Sequence, residues 1–196
     1  MAFTPFSPGS TPQTTDATKL VLSGVTKILF TPYVLSQGAY SLGSTTYQLD
    51  NIIADSAAIT QDDPEENTIE CETRDEPILK TVKNGAFNIE MTSADIQKDI
   101  LINMFGYTED TTNHYIYAPA SYKEVYAAVE FIFGATGAEK ASLVCPKVQL
   151  SSKIDASSLK SETVKGQITG TCISVAPAAG VSYKTPFFIN NSANAS

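Results

Sequence analysis

From Val125 to Phe133 the chain alternates, with Val125, Ala127, Val129, Phe131 and Phe133 on one side and Glu124, Tyr126 and Glu130 on the other. A period of two is that of a strand with one face on a core. Ile78–Lys83 and Phe87–Met91 repeat this alternation, and further strands are read at Thr18–Phe30, which ends in the apolar run Ile28-Leu29-Phe30, and at Thr45–Leu49, Ala57–Gln61, Ala141–Leu150 and Val164–Val175. Thr31–Gly43 carries Pro32, Gly38 and Gly43 and reads as a long loop or hairpin. Asn84-Gly85 lies between two alternating runs and predicts a tight hairpin joining them. One segment changes period. Ile96, Ile100 and Met104 recur every four residues with Leu101 and Phe105 beside them, which predicts a helix with one apolar side. Thr92 or Ser93 can cap its start, Thr92-x-x-Asp95 has capping-box form, and Gly106 suits its end.

The expected fold is mainly β: an antiparallel β-sandwich or barrel with one flanking α-helix and extended N- and C-terminal arms. Residues 1–17 hold Pro5, Pro8 and Pro12 among Ser and Thr and form the N-terminal arm. Residues 18–175 form the domain. Residues 176–196 form a small, polar C-terminal tail with an apolar island at Phe187-Phe188-Ile189. The expected core is Phe87, Ile89, Ile100, Met104, Val125, Val129 and Phe131. Residues 1–17 and Thr31–Tyr47 have too little apolar content to offset backbone ordering, at about 1–2 kcal/mol per residue, and are expected to be ordered by neighbouring subunits.

At 196 residues and 42% hydrophobic content the chain can bury a core without disulfides or metal. Its three cysteines, Cys71, Cys145 and Cys172, are odd in number and lack CxxC spacing, so they read as buried thiols on strands. With one histidine, His114, and no HExxH, Cys/His cluster or phosphate-cradling glycine loop, neither a metal nor a cofactor is expected. No run reaches the ~18 apolar residues of a membrane span. Met1 to Phe6 lacks the basic and apolar blocks of a signal peptide, which predicts a cytoplasmic start.

Charge changes the picture most. Residues 62–76 contain eight acids and one base, a net of −7 out of the chain's −8. A run of this kind is ordinarily a solvated loop, and the D-x-D-x-D-G spacing of a calcium loop is absent. From Thr68 to Thr73, however, Ile69 and Cys71 alternate with Glu70 and Glu72. This predicts a half-buried strand whose wet side is a row of carboxylates. A surface so acidic repels nucleic acid phosphates.

The acidic segment, the run Phe87-Asn88-Ile89-Glu90-Met91, the capped helix from Thr92 to Gly106 and the late strand Gly166-Gln167-Ile168-Thr169-Gly170-Thr171 follow one another in an order that resembles the tail tube (major tail) proteins of tailed bacteriophages, relatives of the type VI secretion tube protein. The resemblance covers roughly residues 18–175. It implies a non-enzymatic structural subunit of the virion's tail, made in the host bacterial cytoplasm. It further implies a homohexameric ring, rings stacked into a hollow tube, other tail proteins as partners and no membrane role. Its lumen is negatively charged so that genomic DNA passes through without specific binding. On that reading Asp62, Asp63, Glu65, Glu66, Glu70 and Glu72 are the candidate lumen-facing acids, and six copies of the segment carry about −42. The alternative is another virion structural subunit, such as a tail terminator or head–tail joining protein, or a fimbrial-type protein. Two further classes compete: a hydrolase using Asp62, Asp63 or Glu65 with His114, and a carbohydrate-binding β-sandwich using Tyr33, Tyr40 and Tyr47. The absence of any Trp weakens the second.

Overall fold

The computed structural model describes residues 24–36, 39–49, 51–71, 74–94, 97–121, 123–133, 141–155, 164–176 and 182–190. The arm at 1–17 lies outside these residues. Among the described residues thirteen strands and one helix follow in chain order: β1 (Val25–Ser36), β2 (Ala39–Leu42), β3 (Tyr47–Leu49), β4 (Ala58–Gln61), β5 (Glu65–Cys71), β6 (Arg74–Lys83), β7 (Phe87–Ser93), α1 (Lys98–Asn103), β8 (Thr108–Asp110), β9 (Tyr115–Tyr117), β10 (Val125–Phe133), β11 (Ser142–Asp155), β12 (Lys165–Cys172) and β13 (Phe188–Asn190). The fold is mainly β and antiparallel, sandwich-like, with one short helix.

The main sheet runs β2-β1-β10-β11-β12-β7-β4, with β3 on β1 and β13 on β11. β10 is its centre. Val125, Ala127, Val129 and Phe131 are buried, while Tyr126, Ala128 and Glu130 face outward. Inward residues of the neighbouring strands complete the core: Ile28 and Phe30, Ile89 and Met91, Val148 and Leu150, and Ile168 and Cys172. Of the expected core only Phe87 is less than buried; it packs at the margin, edge-to-face with Phe187 at 5.0 Å. Gly170 faces this interior, where a Cβ would lie 2.6 Å from Val148 Cγ1, so the strand can cross closely packed neighbours only as glycine.

The sheet curls until its edges approach. The chain leaves β3 on the β1 edge and reaches the β7 edge through the Ile52–Ser93 bridge, with Ile53 N–H donating to Thr92 O at 2.9 Å and Ala94 N–H to Asn51 O at 2.9 Å. The seam is a short bridge, so the sheet does not close by a continuous ladder. Over one end lies α1, its Ile100 and Leu101 buried with Met104 and Phe105 just beyond, beside Leu49 and Ile168.

Two expectations are corrected, and a third is resolved in favour of one of its forms. The helix begins at Lys98, with Gln97 as N-cap and no side-chain cap. Thr92 and Ser93 instead belong to β7, where pairing with Gln167 and Gly166 of β12 commits their backbone groups, and Asp95 and Ile96 lie outside the described residues. Gly106 does end the helix, at φ 76, with Tyr107 N–H reaching back to Leu101 O. Asn84-Gly85 does not join two paired strands: β6 pairs with β5 and β7 pairs with β12 and β4. Thr31–Gly43 is a hairpin with its own ladder, Tyr33 opposite Leu42 and Ser36 opposite Ala39, and β1 runs straight through Pro32. Gly43 marks the break in the returning strand. Its N–H donates to Pro32 O at 2.8 Å, and a Cβ there would meet that same oxygen.

Candidate functional site

Three hairpins extend beyond the main ladders, and the residues singled out by charge lie on one of them. β5 and β6 form a separate two-stranded ribbon with Glu65 opposite Lys83, Glu66 opposite Val82 and Thr68 opposite Lys80. At its far end Cys71 pairs with Arg74. Lys80 Nζ is 2.8 Å from Glu66 Oε2, a diagonal cross-strand pair about half exposed at both ends. Such a pair contributes less than about 1 kcal/mol, but the lysines of β6 change the charge. Residues 62–83 carry eight acids and three bases, so the ribbon is −5 where the 62–76 segment is −7.

Asp62 sits at the root of the ribbon. Its N–H donates to Ala86 O at 2.9 Å, and both carboxylate oxygens accept from Asn88 Nδ2 at 3.1 Å. Gly85 crosses directly against it, in a place where a Cβ would fall 1.8 Å from Asp62 O. The Asn-Gly pair therefore serves close backbone approach at the ribbon's base. Asp63, Glu65 and Glu66 are exposed beside it. Glu70 is on β5 where the ladder shifts register between Ile69 and Cys71, so the regular alternation expected over Thr68–Thr73 is interrupted there. The Glu70 side chain and all of Glu72 lie outside the described residues.

Sheet order assembles a second cluster that chain position does not suggest. On the outer face Lys147 Nζ of β11 stands over the rings of Tyr126 (4.7 Å), Tyr40 (5.4 Å) and Tyr33 (5.6 Å), from β10, β2 and β1. Tyr33 Oη–H donates to Pro146 O at 2.9 Å, and burial raises its pKa. Each cation–π contact contributes about 0.5–1 kcal/mol at a surface site. Together they tie the root of the β1–β2 hairpin to the centre of the sheet. Tyr47 lies apart from the lysine but shares with Tyr33, Tyr40 and Tyr126 a cleft beneath the hairpin.

No family model and no curated protein matches the chain.

The third hairpin, β8–β9, contains His114. It sits exposed at φ 59 in the turn after Asp110, whose carboxylate accepts from Thr112 N–H (2.9 Å), Asn113 N–H (3.1 Å) and Asn113 Nδ2 (2.8 Å). Those bonds, the Asn113 side chain's first, lower the Asp110 pKa. His114 and the acids at 62–66 thus occupy different hairpins. Tyr115 and Tyr117 stack edge-to-face at 6.1 Å on β9. The signal for this hairpin was present as Tyr-Ile-Tyr, three strand formers after an Asp–Asn turn.

Cys145 and Cys172 are buried free thiols. A hydrogen bond to Cys172, then burial, raises the Cys145 pKa well above the ordinary thiol value, which keeps it protonated and unreactive. Cys71 is on β5, and its side chain lies outside the described residues. Among the described residues no three His, Cys, Asp or Glu side chains group as metal ligands, and no helix is long and apolar enough to cross a membrane.

Proposed function

We propose that this chain is a structural subunit that assembles with copies of itself, and specifically a phage tail tube protein whose stacked rings conduct DNA. The observation that carries the reading is the segregation of surfaces. The core is enclosed by the sheet and capped by α1, while the acidic charge and most exposed apolar side chains lie on hairpins that leave it. The order of elements around the acidic segment, which resembles that family, supports the same reading. An enclosed core lets the subunit fold alone, and projecting ribbons suit contacts between subunits.

A conduit must pass a polyanion of one charge per ~1.7 Å without holding it. With −5 per ribbon, a six-membered ring carries roughly −30, enough to repel phosphate along a narrow wall. Repulsion of that size opposes assembly, so apolar contacts must outweigh it. Electron microscopy of the concentrated protein tests the proposal. Hollow tubes are expected. Discrete single rings would favour a tail terminator or joining protein, and a persistent monomer would overturn the reading.

A further inference from the structure

Among the described residues, eight of the eleven exposed large hydrophobic side chains lie on the three hairpins. On β1–β2, Leu35, Tyr40 and Leu42 share one face with Tyr33, and Val34 lies on the reverse. On β9, Tyr115 and Tyr117 share a face and Ile116 lies on the reverse. Leu35 and Tyr115 are each 58% exposed, and the other five are about half exposed. A two-stranded ribbon is marginal in water even with one apolar face covered. These two carry uncovered apolar groups on both faces, which packing against their own core cannot explain.

We propose that the β1–β2 hairpin of one copy docks against the β8–β9 hairpin of the next, a head-to-tail contact between two different patches. This rests on the self-assembling reading above. The areas match what such a contact needs. Counting one face of each ribbon, half-exposed side chains of this size leave about 300 Å² on β1–β2 (Leu35, Tyr40 and Leu42) and about 250 Å² on β9 (Tyr115 and Tyr117). The apolar share of a standard interface is somewhat over half of ~800 Å² per partner. Each hairpin therefore supplies over half of that apolar share, and the rim around it the remainder. The patches also complement one another in kind, since the leucines of the first offer aliphatic surface to the tyrosine pair of the second. A contact between two different patches propagates into rings or filaments, whereas a patch meeting its own copy stops at a dimer. The Lys147 cluster holds the first hairpin at a fixed angle, so little ordering cost falls on docking.

Two double variants test this: Leu35→Lys with Leu42→Lys, and Tyr115→Lys with Tyr117→Lys. All four positions are exposed, so both proteins should melt as wild type does; Gln replaces Lys if either does not. Each alone should be monomeric by sedimentation, its self-association weakened at least about 100-fold. Each keeps one intact patch, so an equimolar mixture should give heterodimers and nothing larger. Wild-type assembly by either variant alone, a mixture that stays monomeric, or a wild-type protein that never associates would each overturn the contact. Hollow tubes formed by both variants would sink the contact and leave the tube reading standing. The expected heterodimers alongside wild-type assemblies that lack a hole would do the reverse.

Discussion

Phe131 offers the sharpest test of the sheet. It is 1% exposed on β10, paired with Ile28 on β1 and Leu143 on β11. Phe131→Ala removes the ring from a site walled by strands on both sides, which can collapse little. The expected loss is therefore about 3–5 kcal/mol, the usual range for a buried Phe. For a domain of this length each kcal/mol moves the melting temperature by about 2–4 °C, so the shift should be roughly 6–20 °C downward. Glu130→Ala is the matched control. It is one residue away on the same strand, on the outer face, and should stay within about 2 °C. Calorimetry on dilute, monomeric protein reads both without the stabilisation that assembly adds. Equal shifts in the two variants, or a Phe131→Ala melt within 2 °C of wild type, would refute the inward phase of β10 and with it the assignment of the core.

Gly85→Ala should force the ribbon root apart, because the new Cβ falls on Asp62 O; hydrogen exchange at the Asp62 amide should rise at least about tenfold, and an unchanged rate would mean that the close crossing is not needed. Lys147→Met keeps the aliphatic stem but removes the charge over three rings, so exchange across Tyr33–Ser36 and Ala39–Leu42 should quicken by about tenfold while the core melt stays put; a change confined to the core would contradict the clamp. Asp110 has a folded pKa below its unfolded value of about 3.9. Its hold on the turn is therefore present above that pH and is lost as pH falls through the folded value. Amide shifts of Thr112 and Asn113 should report the loss in wild type and show none in Asp110→Asn. Converting Glu70 and Glu72 to Lys adds four positive units per subunit and, on the lumen reading, should leave tubes intact but make DNA stick and slow its passage. DNA ejection at the normal rate would place those acids elsewhere.

What was legible in the sequence was what a single segment decides. The alternation of β10 is imposed by one buried face and survives translation into structure residue by residue. The Ile100–Met104 spacing found the helix for the same reason, and Gly106 its end, since only a left-handed residue fits there. The errors all concern competition between partners. Thr92 and Ser93 have good capping chemistry, but β12 offers them a ladder that a helix start cannot match. Asn84-Gly85 has good hairpin chemistry, but β6 is already paired with β5, the strand before it in the chain. The Lys147 cluster carried no signal at all. Its four residues become neighbours only because the sheet order sets β2, β1, β10 and β11 side by side.

On the self-assembling reading proposed above, a subunit that must stay dispersed until it polymerises faces opposed demands, and the placement of these residues answers them. At physiological salt, repulsion between exposed charges fades beyond about 8 Å. Five negative units on one ribbon therefore act on a neighbouring copy only when that ribbon comes close. The exposed leucines and tyrosines occupy different hairpins from the densest acids, so two copies can bring apolar surface together without first overcoming the full charge. Had the same side chains been scattered over the main sheet, each approach would have met both forces at once, and substitutions tuning assembly would also have disturbed the core. Because the exposed side chains of β1–β2 and β8–β9 lie outside the core, on this reading the strength of association can change without cost to the fold that presents them.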